Sequence, residues 1–196
     1  MDTPATPPNS QLVPGRSCDG CTLCCRLLRI ESLQKERLVE CRHCDPGVAC
    51  RIYADRPSAC AEFYCTYRYS PELGEEWKPS HCHMVLNYDP GRQRVNVSVD
   101  PEFAGQWRRE PYYSRLKELA QHMLRQRGYI LVWEADALFV ILPDRDVALG
   151  PAFDKVISVL GRTSPSGTQE YKVLALAPDD PRLADLRLGL APEPPG

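Results

Sequence analysis

The chain has 196 residues, a hydrophobic fraction of 43% and a formal net charge of -2, which suits one compact domain with a small appendage or two small domains sharing an interface. A charge so near zero excludes a global attraction to nucleic acid or anionic lipid and leaves only a local basic patch open. No run of about eighteen apolar residues occurs, so no membrane-spanning helix is expected.

Residues 1–15 hold Pro4, Pro7, Pro8 and Pro14 among Thr, Ala, Asn and Ser. They offer no apolar face to bury, which predicts a disordered tail. Met1 to Gly15 also lacks the basic and apolar regions of a secretory signal, so the expected compartment is the cytosol, where thiols stay reduced and a disulfide framework is not expected.

A cysteine-rich module follows. It opens with Cys18-Asp19-Gly20-Cys21-Thr22-Leu23-Cys24-Cys25 and is answered by Cys44, Cys50, Cys60 and Cys65. Eight thiols within about fifty residues are too dense and too ordered to be ordinary core cysteines. They read as metal ligands, because thiolate suits zinc, iron–sulfur clusters and Cu(I), and two cysteines two residues apart can place both sulfurs on one ion across a tight turn. Gly20 can relieve that turn if it needs a positive φ. A helical turn from Cys21 would bring Cys21, Cys24 and Cys25 to neighbouring positions. Consecutive side chains diverge by roughly a hundred degrees on a helix, so Cys24 and Cys25 are expected to serve different ions, different roles or one polynuclear cluster. Leu27, Leu28, Ile30 and Leu33 read as an apolar segment, and Gln34 to Arg37 as a solvated connector.

The succession Cys-x-x-Cys-x-x-Cys-Cys, then Cys44, five residues, Cys50-Arg51-Ile52-Tyr53-Ala54-Asp55-Arg56-Pro57-Ser58-Ala59-Cys60, then Phe63-Tyr64-Cys65 resembles the bacterial zinc- or iron-chelating proteins of the CxxCxxCC type, the YkgJ-type family. The resemblance covers residues 18–65. It implies metal chelation by Cys18, Cys21, Cys24, Cys25, Cys44, Cys50, Cys60 and Cys65, and leaves the metal open. Ala61 departs from it where the family often has arginine, which removes a counter-charge and not a ligand.

A divalent ion held by four thiolates carries a net charge of about minus two and needs nearby cations or amide donors. Arg26, Arg42, Arg51 and Arg56 lie beside the ligands in sequence; Arg56 is the expected donor, while a solvated surface accounts for each of the four equally well. Tyr53 and Phe63 are expected to form a small core under the site. Cys41, His43 and Cys82 are extra. Cys41-Arg42-His43-Cys44 has the spacing of a redox dithiol but not its strand-to-helix context, and His43 is an alternative imidazole ligand. His81 and His83 alternate about Cys82 and read as exposed histidines on a strand.

After Pro79 the composition becomes that of an ordinary globular domain. Alternation predicts a hairpin over residues 82–99 with a turn at Asp89-Pro90-Gly91-Arg92. Pro111 opens a helix with a Tyr113, Leu116, Ala120, Met123 and Leu124 stripe that Gly128 ends. Tyr129 to Trp133 and Leu138 to Leu142 read as strands, as do Val156 to Leu160 and Tyr171 to Ala177. Asp180-Pro181 starts a short helix that Gly189 can end. The predicted class is α+β: a small cysteine-rich metal-binding module followed by an antiparallel sheet with one main covering helix. Its parts are a tail (1–15), the chelating module (16–79), the α+β region (80–178), and a short helix with a frayed tail (179–196).

No phosphate loop, nucleophile elbow or paired-carboxylate signature is present. Trp107, Arg108, Arg109, Tyr112 and Tyr113 could stack on nucleic acid, but a helix entry with solvated arginines is preferred. Three classes remain in order: thiolate-ligated zinc stabilising a scaffold or interaction module; an iron–sulfur or iron-handling protein, since Cys18-x-x-Cys21-x-x-Cys24 shares the ferredoxin spacing without its Cys-Pro ending; and an enzyme with an open metal position.

Overall fold

The computed structural model describes residues 12–187. The expected tail therefore lies mostly outside the described residues, as does the helix stop at Gly189. Where the tail is described it touches the fold, with the Val13 N–H bonded to the Arg68 carbonyl at 2.9 Å.

The class is α+β. A five-stranded sheet is built from β3 (Met84–Asp89), β4 (Arg94–Val99), β5 (Tyr129–Glu134), β6 (Ala137–Ile141) and β7 (Asp146–Gly150), in that spatial order. The sheet is mixed rather than wholly antiparallel, because β4 and β5 run parallel. Between them lies α5 (Tyr112–Arg125), whose 14 residues carry the chain back about 21 Å. A return of this length allows a crossover that a two-residue turn cannot make.

One face of α5 buries Tyr112, Leu116, Ala120 and Met123, a helical spacing that lays a single stripe on the sheet. Where α5 ends, the Gly128 N–H bonds to the Met123 carbonyl at 2.8 Å. A Cβ at Gly128 would collide with the Gln93 carbonyl oxygen, so this turn packs against the β3–β4 connection only with glycine there. Along β5, Ile130 and Val132 join the core under α5, and Tyr129 and Leu131 join a second core on the opposite face. Burial on both faces explains why β5 is nearly all apolar. The second core is closed by a separate hairpin, β8 (Val156–Thr163) with β9 (Gln169–Leu176), through Ile157 and the Tyr129 hydroxyl, which donates to the Ile157 carbonyl at 3.1 Å. The chain ends its described part in α6 (Arg182–Arg187), where Asp180 accepts from the Arg182 N–H at 3.0 Å.

Two local features depart from the sequence reading. The hairpin starts at Met84, not Cys82: Pro79–Cys82 forms a single helical turn, α4, and His83 closes it with a positive φ of 56°. His81 and His83 therefore share no strand face, and the His83 ring stacks on Phe103 with centroids 3.4 Å apart. Proline at the first helical position presets that turn, which overrides the alternation. The second is β7, an element that nothing in its short sequence announced. It is held from the helix side by Lys117, whose ammonium lies 2.6 Å from the Asp146 carboxylate.

The module is made of short pieces: α1 (Leu23–Leu27), β1 (Cys44–Asp45), β2 (Ala49–Cys50), α2 (Ser58–Ala61) and α3 (Thr66–Tyr69). Tyr67, Leu73 and Trp77 enter the main core with Cys82, so the segment before residue 80 is continuous with the sheet's interior. Arg16 reinforces that junction by donating to the Ser70 carbonyl at 2.8 Å and to the carbonyls of Tyr67 and Leu73.

Candidate metal centre

Three segments converge. In the first, the Cys21 N–H bonds to the Cys18 carbonyl at 2.9 Å, closing a tight turn in which Gly20 has φ 68°, the left-handed value that glycine adopts without strain. The next turn is α1, opened by the Cys25 N–H bonding to the Thr22 carbonyl at 2.9 Å. The second segment is the β1–β2 hairpin, which sets Cys44 directly opposite Cys50. Thr22 ties the two together, its Oγ1 accepting from the Gly47 N–H at 2.8 Å. In the third, Cys60 lies in α2 and Cys65 precedes α3 as its capping residue.

Cys18, Cys21, Cys24, Cys25, Cys50 and Cys60 line one cavity of about 210 Å³, together with Cys41 and His43. Cys44 and Cys65 lie outside its wall. Cys44 is nevertheless paired with the cavity residue Cys50 across the β1–β2 hairpin, and Cys65 follows Cys60 in the third segment. Arg68 reaches the first segment, its Nη1 donating to the Cys18 Sγ at 3.1 Å. Ile30, Leu33, Ile52 and Phe63 supply an apolar wall.

Cys25, Cys44, Cys60 and Cys65 hold their protons tightly. The hydrogen bond from Cys24, burial and the Cys24 charge push the Cys25 thiol far up. Burial and then the Cys25 charge raise Cys44 to about 12. Cys65 rises to about 12 from burial and the charges of Cys18 and Cys21. Cys60 moves the same way, through burial and the charges of Cys25, Cys41 and Cys50. Crowded thiolates repel one another, and a bound cation reverses that penalty. All ten cysteines are free thiols, and a reduced, soft donor set of this density fits a thiophilic metal. Among the described residues, no three His, Cys, Asp or Glu side chains are grouped closely enough to hold one ion. The sulfurs share a cavity, not a closed polyhedron.

Lys35 was legible only as part of a solvated connector, yet it is 6% exposed. A turn through Gln34, at φ 50°, sends it inward, and its ammonium donates to the Arg26 carbonyl at 2.9 Å and to the Leu28 carbonyl. It thus satisfies two carbonyls at the end of α1 while standing in the field of Cys41, Cys25 and Cys24. Burial lowers its pKa and the thiolates oppose that. No periodicity in the sequence marked this residue.

The arginines divide. Arg56, the expected donor, lines the cavity with its guanidinium 3.8 Å from the Tyr53 ring centroid. Its Nε is buried with no hydrogen-bond partner among the described residues. Tyr53 is 60% exposed, which corrects its assignment to a core beneath the site; it shields Arg56 from outside. Arg51 donates to the Arg42 carbonyl at 2.7 Å, and Arg42 donates to His43 Nε2 at 3.2 Å.

No protein-family model, curated protein or solved structure matches this chain. Cys82 is apart from the cavity: it is fully buried in the main core, its Sγ facing the Trp77 and Met84 carbonyls at 3.5 and 3.3 Å. Nor does the Trp107 region form a stacking platform. Trp107 is buried, its Nε1 donating to Glu134 at 2.9 Å, and Arg108 covers its ring at 3.7 Å. No helix among the described residues is long and apolar enough to cross a membrane.

Proposed function

We propose that this chain is a metal-binding protein in which Cys18, Cys21, Cys24, Cys25, Cys44, Cys50, Cys60 and Cys65 hold thiolate-ligated zinc, and that the metal stabilises the module as a scaffold or interaction surface. The observation that carries it is the convergence of six of these thiols on one cavity, with Cys44 paired to Cys50 across the β1–β2 hairpin. Bound zinc would supply positive charge to thiolates that otherwise repel one another. The chain's own part is to bring the ligands together through the two turns and the β1–β2 hairpin. Lys35, Arg56 and Arg68 offset the excess negative charge. An all-thiolate set closes a zinc site rather than leaving a position open for water, which favours a structural role over hydrolysis.

An iron–sulfur cluster is the second reading, favoured by a cavity far larger than one ion and by the adjacent Cys24 and Cys25. Its role would be redox or enzymatic.

Anaerobic purification of the full chain followed by elemental analysis separates these. Zinc without visible absorbance supports the first reading; iron with acid-labile sulfide and brown colour supports the second. Serine at any of the eight cysteines is expected to lower bound metal, and Cys82→Ser to leave it unchanged. A reduced, folded chain that retains neither zinc nor iron at micromolar supply would sink the proposal.

A further inference from the structure

Cys41 stands outside the eight-cysteine pattern, yet its surroundings are those of a ligand. It is 6% exposed and lines the cavity with Cys24, Cys25, Cys50 and Cys60. Cys41 belongs to neither core cluster of the described residues, whereas Cys82, fully buried, sits within the main one.

The backbone gives a second, independent reason. The Cys44 N–H bonds to the Cys41 carbonyl at 2.9 Å, which repeats the Cys21 N–H to Cys18 carbonyl bond of 2.9 Å. Both Cys-x-x-Cys segments are thus closed by the same three-residue bond, a turn that aims two sulfurs at one side. The second turn is also braced. Cys44 is paired with Cys50 across the β1–β2 hairpin, and the Arg51 N–H bonds to the His43 carbonyl at 2.8 Å. A redox pair would form a disulfide between Cys41 and Cys44. Cys41 instead shares a cavity wall with six other thiols.

We propose that Cys41 is a ninth thiolate ligand, serving the cavity that it lines with Cys24, Cys25, Cys50 and Cys60 and taking a soft divalent cation. The inference rests on the metal-binding reading above. On binding, the Cys41 S–H bond is replaced by a sulfur–metal bond and the proton passes to solvent, with no change of oxidation state.

The test uses the full chain, reduced and loaded anaerobically with cadmium as a magnetic probe for the zinc site. Cadmium-to-proton scalar coupling to the Cβ protons of Cys41 and Cys60, with none to Cys82, is the expected result. It requires no variant, so it decides the question even if Cys41→Ser fails to fold. In zinc competition against a chelator, Cys41→Ser is expected to weaken binding about tenfold or more, and Cys82→Ser to match the native chain. Coupling to Cys60 without coupling to Cys41 overturns this inference and leaves the metal-binding reading standing. A native chain that takes up neither cadmium nor zinc overturns both.

Discussion

The Arg26 guanidinium, carried by α1 of the cysteine module, lies 3.3 Å from the Asp100 carboxylate at the end of β4 and 2.7 Å from Glu102. Asp100 is 3% exposed, so the ion pair joins the module to a buried charge of the sheet. Asp100 also accepts from the Glu102 N–H at 3.1 Å. Removing the arginine leaves that carboxylate with one partner in a dry site, a change that costs about 1–3 kcal/mol. Arg26→Ala is expected to lower the denaturant midpoint by a corresponding amount, and Arg26→Lys to recover part of it. An alanine variant as stable as the native chain would show that the two parts do not depend on this contact.

Lys35 is the one buried ammonium beside the thiols among the described residues. Methionine there keeps the length and apolar stem but removes the charge and both carbonyl contacts. Lys35→Met is expected to weaken zinc binding about tenfold, read by chelator competition. Native affinity in this variant would show that the buried charge does not act on the site.

Chelation should act unevenly along the chain. From residue 16 to residue 61, the buried apolar side chains among the described residues are Leu27, Cys41 and Cys44, too few to offset the entropy of ordering without metal. Structural zinc contributes on the order of 10 kcal/mol in small peptides. By contrast, β3 to β6 and α5 bury one another on both sheet faces. Hydrogen exchange after metal removal is expected to lose protection over 18–61 and keep it in β3 to β6 and α5. Because Tyr67, Leu73 and Trp77 sit in the main core, the boundary should fall before residue 67 and not near 80. Equal loss in both regions would mean one cooperative unit.

Tyr67 predicts an alkaline transition. Burial, then its hydrogen bond to Glu75 and the charge of Glu75, raises its phenol from 10.0 to about 12. The folded state holds this proton more tightly than the unfolded chain, so the contribution to stability is full below pH 10 and declines as the pH rises towards 12. Denaturant unfolding between pH 9 and 12, about the range of tyrosine ionisation, should show a shallower decline for Tyr67→Phe than for the native chain. Identical slopes would place the alkaline sensitivity in other groups.

What the sequence by itself determined was whatever is encoded over a few neighbouring residues. Alternation marked β4, a stripe at helical spacing marked α5, and the Cys18-x-x-Cys21 spacing marked a tight turn that the backbone bond at Cys18 closes. The tertiary structure decided what depends on distant segments meeting. It set β5 parallel to β4, since direction follows from the length of the crossover and not from strand composition. It paired β7 through Asp146 and Lys117, residues 29 apart in the chain. Above all it chose who shares the cavity. Cys41 is drawn in and Cys82 left in the core, although both are buried cysteines, and Lys35 is turned inward from a charged run. A local pattern fixes the shape of each turn, but the company a thiol keeps is set by how three separate loops pack together, and that packing is written in no one of them.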